Sequence, residues 1–150
     1  MKGYQMDLRD RCVTITGGTG ALGTAVYGEY LRRGCRVAIP FIFDHEIEDF
    51  ENAIGDLMSR VTLIRASVTA EAEVDSFFQT VLDKHGGIDI LVNVVGGFKG
   101  GIPVSDMEVE DWDAMMNLNL KSAFLCCRAV LPHMKHRRFG KIVNVSRAPV

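Results

Sequence analysis

Residues 16–23 read Thr-Gly-Gly-Thr-Gly-Ala-Leu-Gly. Within them, Gly18-Thr19-Gly20-Ala21-Leu22-Gly23 matches G-x-G-x-x-G. Residue types in this spacing suit one chemistry, the holding of a pyrophosphate. Glycines permit a tight turn and let backbone approach the phosphates, and free N–H groups at a helix N-terminus solvate the charge. The context matters more than the glycines alone. A β-rich run, Cys12–Thr16, precedes them. Leu22, Ala25, Val26, Tyr30 and Leu31 follow at near-helical spacing, and Gly34 ends the helix. Other residues capable of chemistry are less telling. Cys12, Cys35, Cys126 and Cys127 form no C-x-x-C, and the adjacent pair is a poor chelate, so no metal site is expected. They suit reduced thiols packed as small hydrophobes. The basic run Lys135-His136-Arg137-Arg138 suits the cationic end of a helix.

The elements that position the glycine turn follow from periodicity. Arg36–Phe43 is a second apolar run, and Pro40 limits the regular strand to its first part. Asp44 is placed as a helix N-cap, with Glu46 and Glu48 in the first turn and Ile47, Phe50, Ile54 and Leu57 on the apolar face. Val61–Ala66 is a third strand. Thr69 is expected to cap a helix whose apolar face is Val74, Phe77, Phe78, Val81 and Leu82, ended by Gly86. Ile88–Val95 is nearly all apolar, as for a strand covered on both faces. A second glycine-rich loop, a long helix over about 108–134 and a fifth strand, Lys141–Ser146, complete the order. Alternating β and α elements predict one α/β domain over 1–150, a Rossmann-like doubly wound parallel sheet of about five strands.

The chain has 150 residues, 47% hydrophobic and 24% charged, with a formal net charge of −2. That composition excludes a disordered tail and a disulfide scaffold, and it predicts no nucleic-acid or membrane partner. No apolar run nears the ~18 residues needed to span a bilayer. The N-terminus, MKGYQMDLRD, has no apolar leader, so a cytoplasmic location is expected.

Four motifs stand in order along the chain. Residues 16–23 resemble T-G-x-x-x-G-x-G, and Asp89–Gly96 (DILVNVVG) resembles D-I-L-V-N-N-A-G. Trp112-Asp113 with Asn117–Lys121 (NLNLK) resembles W-D-x-x-x-x-V-N-L-K, and Gly140–Ser146 (GKIVNVS) resembles G-x-I-V-N-I-S-S. Together they resemble the short-chain dehydrogenase/reductase family, classical type, over essentially the whole chain.

The resemblance implies an oxidoreductase that moves hydride between a nicotinamide and a carbonyl or alcohol carbon, using NAD or NADP. It assigns cofactor contacts to Gly17, Thr19, Gly20, Ala21, Leu22, Gly23, Ser67, Val68, Asn93, Val94 and Gly96. The motifs also depart from the family pattern. Ala21 takes the place of a motif glycine, and Ser67 takes the place of an Asp that contacts the adenine. Asp44 either caps a helix or accepts from a ribose. No Arg or Lys directly follows Phe41, which leans the choice towards NAD.

The resemblance makes Asn119 and Ser146 the catalytic candidates. Ser146 is either the catalytic serine, or a structural one with Arg147 in the catalytic place. Tyr4, Tyr27 and Tyr30 all precede the second strand, so the family's Tyr-x-x-x-Lys is missing. The chain is therefore expected to be an N-terminal part, cut before a sixth and seventh strand, and inactive alone. The alternatives are a non-catalytic nucleotide-binding module or a degenerate fragment. A carbonyl or alcohol substrate is expected only for a longer form. The 108–134 helix is expected to join two copies, and an unpaired fifth strand is expected to promote self-association.

Overall fold

Short apolar runs bounded by glycine turns form five parallel strands, and the helices between them cover both faces of the sheet. The computed structural model describes residues 6–146. Strands β1 (Cys12–Thr16), β2 (Arg36–Phe41), β3 (Val61–Arg65), β4 (Ile90–Asn93) and β5 (Lys141–Asn144) lie in the order β3-β2-β1-β4-β5. Helices α1 (Ala21–Arg32), α2 (His45–Ile54), α3 (Glu71–His85), α4 (Val109–Met116) and α5 (Ser122–Arg137) connect them.

The sheet's two faces follow from strand alternation. Val13, Ile15, Val37, Ile39, Ile90 and Val92 pack under α1 and α2, against Tyr27, Leu31, Phe50 and Ile54. Cys12, Ala38 and Leu91 face α3 and α5, against Phe77, Phe78, Val81, Leu125 and Val130. β1 is buried throughout. Fully burying one such side chain contributes roughly 1.5–3 kcal/mol, so these two layers hold the fold. On α1 the inward face is Tyr27 and Leu31, whereas Leu22 is exposed and Val26 only half-buried. The apolar face expected around Leu22 and Ala25 is thus rotated, because Gly23 brings the helix onto the glycine turn.

At the other end of the sheet, one buried carboxylate ties the elements together. Asp89 accepts from the Cys12 N–H at 2.9 Å and from Arg11 at 3.0 Å, and Arg137 lies 3.3 Å away.

Several boundaries differ from expectation. β2 runs through Pro40 to Phe41. Its pairing with β1 ends at Ala38, so the missing proline N–H does not interrupt that ladder, while pairing to β3 continues to Phe41–Arg65. Thr69 does not cap α3. The helix starts two residues later, and the Thr69 hydroxyl is bonded to that of Ser67 at 2.9 Å. Glu73 closes this end instead, accepting from the Ser67 N–H at 2.7 Å. Asp44 stands before α2 but makes no cap bond, because Arg65 takes both its oxygens at 3.0 and 3.2 Å. The long helix is two helices joined by a wide π turn, Asn117–Lys121.

Candidate functional site

A groove of about 470 Å³ opens at the C-terminal ends of β1, β2 and β4. It lies where the strand order reverses, since β1 has β2 on one side and β4 on the other. In open α/β sheets this is the place where a crevice forms outside the strand ends.

The β1–α1 turn forms one wall. Gly17 takes φ +67°, and the Gly20 N–H donates to its carbonyl at 3.2 Å. Gly23 allows the closest approach in the turn. A Cβ there would strike the Gly17 carbonyl oxygen and Gly18 Cα, both backbone atoms. Gly18 is buried under Ile39, which a Cβ would meet at 2.7 Å. α1 then begins after Gly20 with no side-chain cap and no acidic residue in its first turn. Its first N–H groups are left for a ligand, which is the condition for holding an anion.

The floor is tied to β1 by Thr16. Its hydroxyl accepts from the Val94 and Val95 N–H groups at 3.1 and 3.3 Å. Asn119 holds the next stretch. Its Oδ1 accepts from the Gly97 N–H, and its Nδ2 donates to the Gly97 carbonyl, both at 3.0 Å. The same amide donates back to the Met115 carbonyl near the end of α4 at 2.8 Å. The opposite wall is apolar, formed by Phe41, Ile42 and Phe43, with Glu46 beside them.

Of the residues named from the sequence, Gly17, Thr19, Gly20, Ala21, Leu22, Gly23, Val68, Val94 and Gly96 line this groove. Ser67 and Asn93 do not. The Ser67 hydroxyl and N–H are held by Thr69 and Glu73. The Asn93 amide is buried and donates to Asn144 Oδ1 at 2.8 Å, on the β5 side. Asn119 is at the groove's edge, where its Oδ1 would lie 2.8 Å from a Cβ on Gly96. Ser146 is exposed just past β5, while the hydrogen bonds of Asn119 among the described residues go to Gly97 and Met115. Arg147 and Tyr4 lie outside the described residues.

Sequence reasoning passed over Phe43, Glu46 and Val95 as groove residues. The turn in which the Glu46 N–H donates to the Phe43 carbonyl at 3.1 Å brings Glu46 there. Its sequence position suits a first-turn acid of α2 equally well, so the groove role is not marked by local pattern alone.

Tyr27 is in the core under α2, its ring 4.7 Å from Phe50, and Tyr30 is half-buried on the same helix. Burial pushes the Tyr30 phenol above its usual value. Neither ring lines the groove. Burial also pushes the Cys12 and Cys126 thiols up to about 12, so they stay protonated packing groups. No helix of the described residues is long and apolar enough to cross a membrane.

A parallel sheet with a glycine turn and an uncapped helix at its switch point defines a nucleotide-binding α/β protein. The family model for short chain dehydrogenases matches residues 11–148, and the chain belongs to that family. It is 34% identical over 143 residues to 2-(R)-hydroxypropyl-CoM dehydrogenase of Xanthobacter autotrophicus, covering 91% of this chain and 56% of that protein. It is 31% identical over 140 residues to D-beta-hydroxybutyrate dehydrogenase of Rhizobium meliloti, covering 92% and 54%. Among solved structures, ElxO with NADP bound superposes with a TM-score of 0.87 at 26% identity, covering 91% of this chain and 55% of that one. The chain thus spans about half the length of the curated relatives it matches. Fold and family support nicotinamide-dinucleotide binding at this kind of site.

Proposed function

We propose that this chain is the dinucleotide-binding part of an NAD(P)-dependent oxidoreductase that passes hydride between nicotinamide and a carbonyl or alcohol carbon. The observation that carries the proposal is the close packing of Gly23 on Gly17, which leaves the uncapped start of α1 facing the groove. When bound, the dinucleotide supplies the hydride carrier. This chain's residues supply phosphate-facing N–H groups at Ala21 and Leu22, a floor at Val94–Gly96 held by Thr16, and a loop held by Asn119. Of the two dinucleotides, NAD(H) suits the groove better, because its lining includes a carboxylate and no lysine or arginine.

Proton transfer to a carbonyl oxygen calls for a group poised near working pH. Tyr27 and Tyr30 are packed on α1 instead. We therefore read the 150 residues as one binding domain that does not turn over alone. Ser146 and Asn119 would contribute to chemistry only where a longer form completes the site with the carbonyl or alcohol substrate. Four unpaired thiols fit a reducing compartment such as the cytoplasm.

Calorimetric titration tests the reading. Saturable heat with NADH is expected, together with no NADH oxidation over a panel of carbonyl compounds. Absence of heat with both NADH and NADPH overturns it.

The α4–α5 surface supports a second copy as partner. Trp112, Leu120 and Phe124 are exposed there, and Met116, Leu120 and Phe124 line an open hollow of about 860 Å³. Exposed apolar surface of this kind marks interaction sites.

A further inference from the structure

We infer that the strand-start end of the sheet carries a docking surface for the phosphate backbone of single-stranded nucleic acid, formed by Lys135, Arg138 and Lys141. The inference is independent of the dinucleotide reading, because the groove opens at the opposite ends of the strands.

The net charge of −2 conceals a strong asymmetry. All 19 acidic residues lie between Asp7 and Asp113, and from Ala114 onwards the only Asp, Glu, Lys or Arg residues are lysines and arginines. Charge segregated in this way points to a polyanionic partner. The fold then decides which cations remain available. Arg128 pairs with Glu71, and Arg137 turns inward to Asp89 and against Gly87. Lys135, Arg138 and Lys141 are exposed and pair with no carboxylate among the described residues. They come together where α5 ends and β5, at the sheet's edge, begins.

A cationic helix end has a simpler reading, that it offsets the helix dipole. That reading covers Lys135 but neither Arg138 nor Lys141, which lie beyond the last turn. The end of α5 is also closed already. The Arg138 N–H donates to the Lys135 carbonyl and the Phe139 N–H to the Met134 carbonyl, both at 3.1 Å. Arg138 itself sits at φ +52°, a left-handed cap where glycine is the usual residue. An arginine there carries backbone strain that glycine would not, which points to a use for its side chain.

Nucleic acid suits this surface better than a lipid face. No large hydrophobic residue between Leu131 and Val143 is exposed, so the patch has no apolar anchor to insert. Phe139 is half-buried with the Arg11 guanidinium 4.6 Å from its ring centre, so a base has no exposed ring to stack on. The contacts are therefore to phosphate and independent of base sequence.

The test is fluorescence anisotropy of a fluorescein-labelled oligouridylate titrated with the 150-residue chain. Binding is expected with a Kd of about 1–100 µM, weakening roughly 20-fold between about 50 and 200 mM salt, as for three phosphate contacts. An oligocytidylate is expected to bind equally well. Lys135→Gln and Lys141→Gln each weaken binding about five- to tenfold at low salt and reduce the salt slope by about 0.7. Arg138→Gly weakens it similarly while Tm holds or rises, which a structural role for the side chain would not allow. Arg9→Gln, whose partner is Asp7, is the control and leaves binding unchanged. Saturating NADH is expected not to displace the oligonucleotide. No binding by wild type at low salt overturns the inference, as does affinity unchanged in both lysine variants. Displacement by NADH also overturns it, as does binding to phosphatidylserine vesicles in place of the oligonucleotide.

Discussion

Gly23→Ala adds one methyl group at the tightest point of the glycine turn. Its Cβ would strike the Gly17 carbonyl oxygen and Gly18 Cα, and neither can rotate away as a side-chain tip could. The helix must therefore back off, or the turn must open. Overpacking of this sort costs about 1–3 kcal/mol. For a chain of this size each kcal/mol lowers Tm by about 2–4 °C, so a fall of roughly 2–12 °C is expected. Displacing α1 also moves its first N–H groups away from the phosphates, so NADH affinity should fall more than about tenfold, or 1.4 kcal/mol. Gly20→Ala is the control. Its Cβ would lie 3.5 Å from the Gly17 oxygen, an ordinary contact, and its backbone is extended at φ −79°. Its stability should stay within about 0.5 kcal/mol of wild type, as for a neutral surface change. Thermal melts of both variants, with NADH titration of Gly23→Ala, decide the matter. Equal damage from the two substitutions, or none from Gly23→Ala, refutes the close-packing argument.

Asp89→Ala removes the acceptor shared by the Cys12 N–H, Arg11 and Arg137. The carboxylate is only 7% exposed, but the arginines are about one-third exposed and partly screened. Urea unfolding should show a loss of about 2–3 kcal/mol, below the 3–5 of a fully buried pair, and Asp89→Asn should lose less. Asn119→Ala frees both Gly97 backbone groups at an exposed site. Losing two modest hydrogen bonds should weaken NADH binding about three- to tenfold, with Tm nearly unchanged in the same melts. His85 accepts at Nδ1 from Arg36 at 3.2 Å, and its Nε2 lies 3.0 Å from the Thr62 hydroxyl. Burial, then Arg36 and Lys84, push its pKa below the usual value. The folded state therefore binds fewer protons than the unfolded one as pH falls below about 6.5. Stability should drop across that window, and the slope should flatten in His85→Gln by urea unfolding from pH 7.5 to 5.5. Phe124→Arg places a charge in the exposed α4–α5 face and should shift sedimentation towards monomer.

The sheet, its two covered faces and the glycine turn were legible because they rest on local rules. Strand alternation sorts Val13 and Ile15 from Cys12 and Thr14, and a turn that tight admits few residues but glycine. What escaped the sequence was decided by side-chain partners that no local pattern names. Asp44 is spaced as a cap, but Arg65 claims its carboxylate. Ser67 and Asn93 stand at cofactor positions by motif, and the structure adds that the Ser67 N–H donates to Glu73 and the Asn93 amide to Asn144. The continuous apolar pattern of residues 108–134 hides the π turn, because an extra residue in one turn leaves both flanking helices periodic.

That π turn also explains why Asn119 acts on a loop rather than inside its helix. An asparagine in a regular helix can bond back to its own turn, and Asn119 does donate to Met115. Its second donor and its acceptor reach Gly97, in a loop that follows β4. Thr16 reaches the residues just before that loop, at Val94 and Val95. The segment from Val94 to Gly97 is thus held from β1 on one side and from the helical layer on the other. A glycine-rich loop pinned at both ends can keep its backbone against a ligand without side chains that would fill the groove. The phosphate-side wall and floor of the site are therefore built mainly from backbone, and Thr16 and Asn119 serve to hold that backbone still.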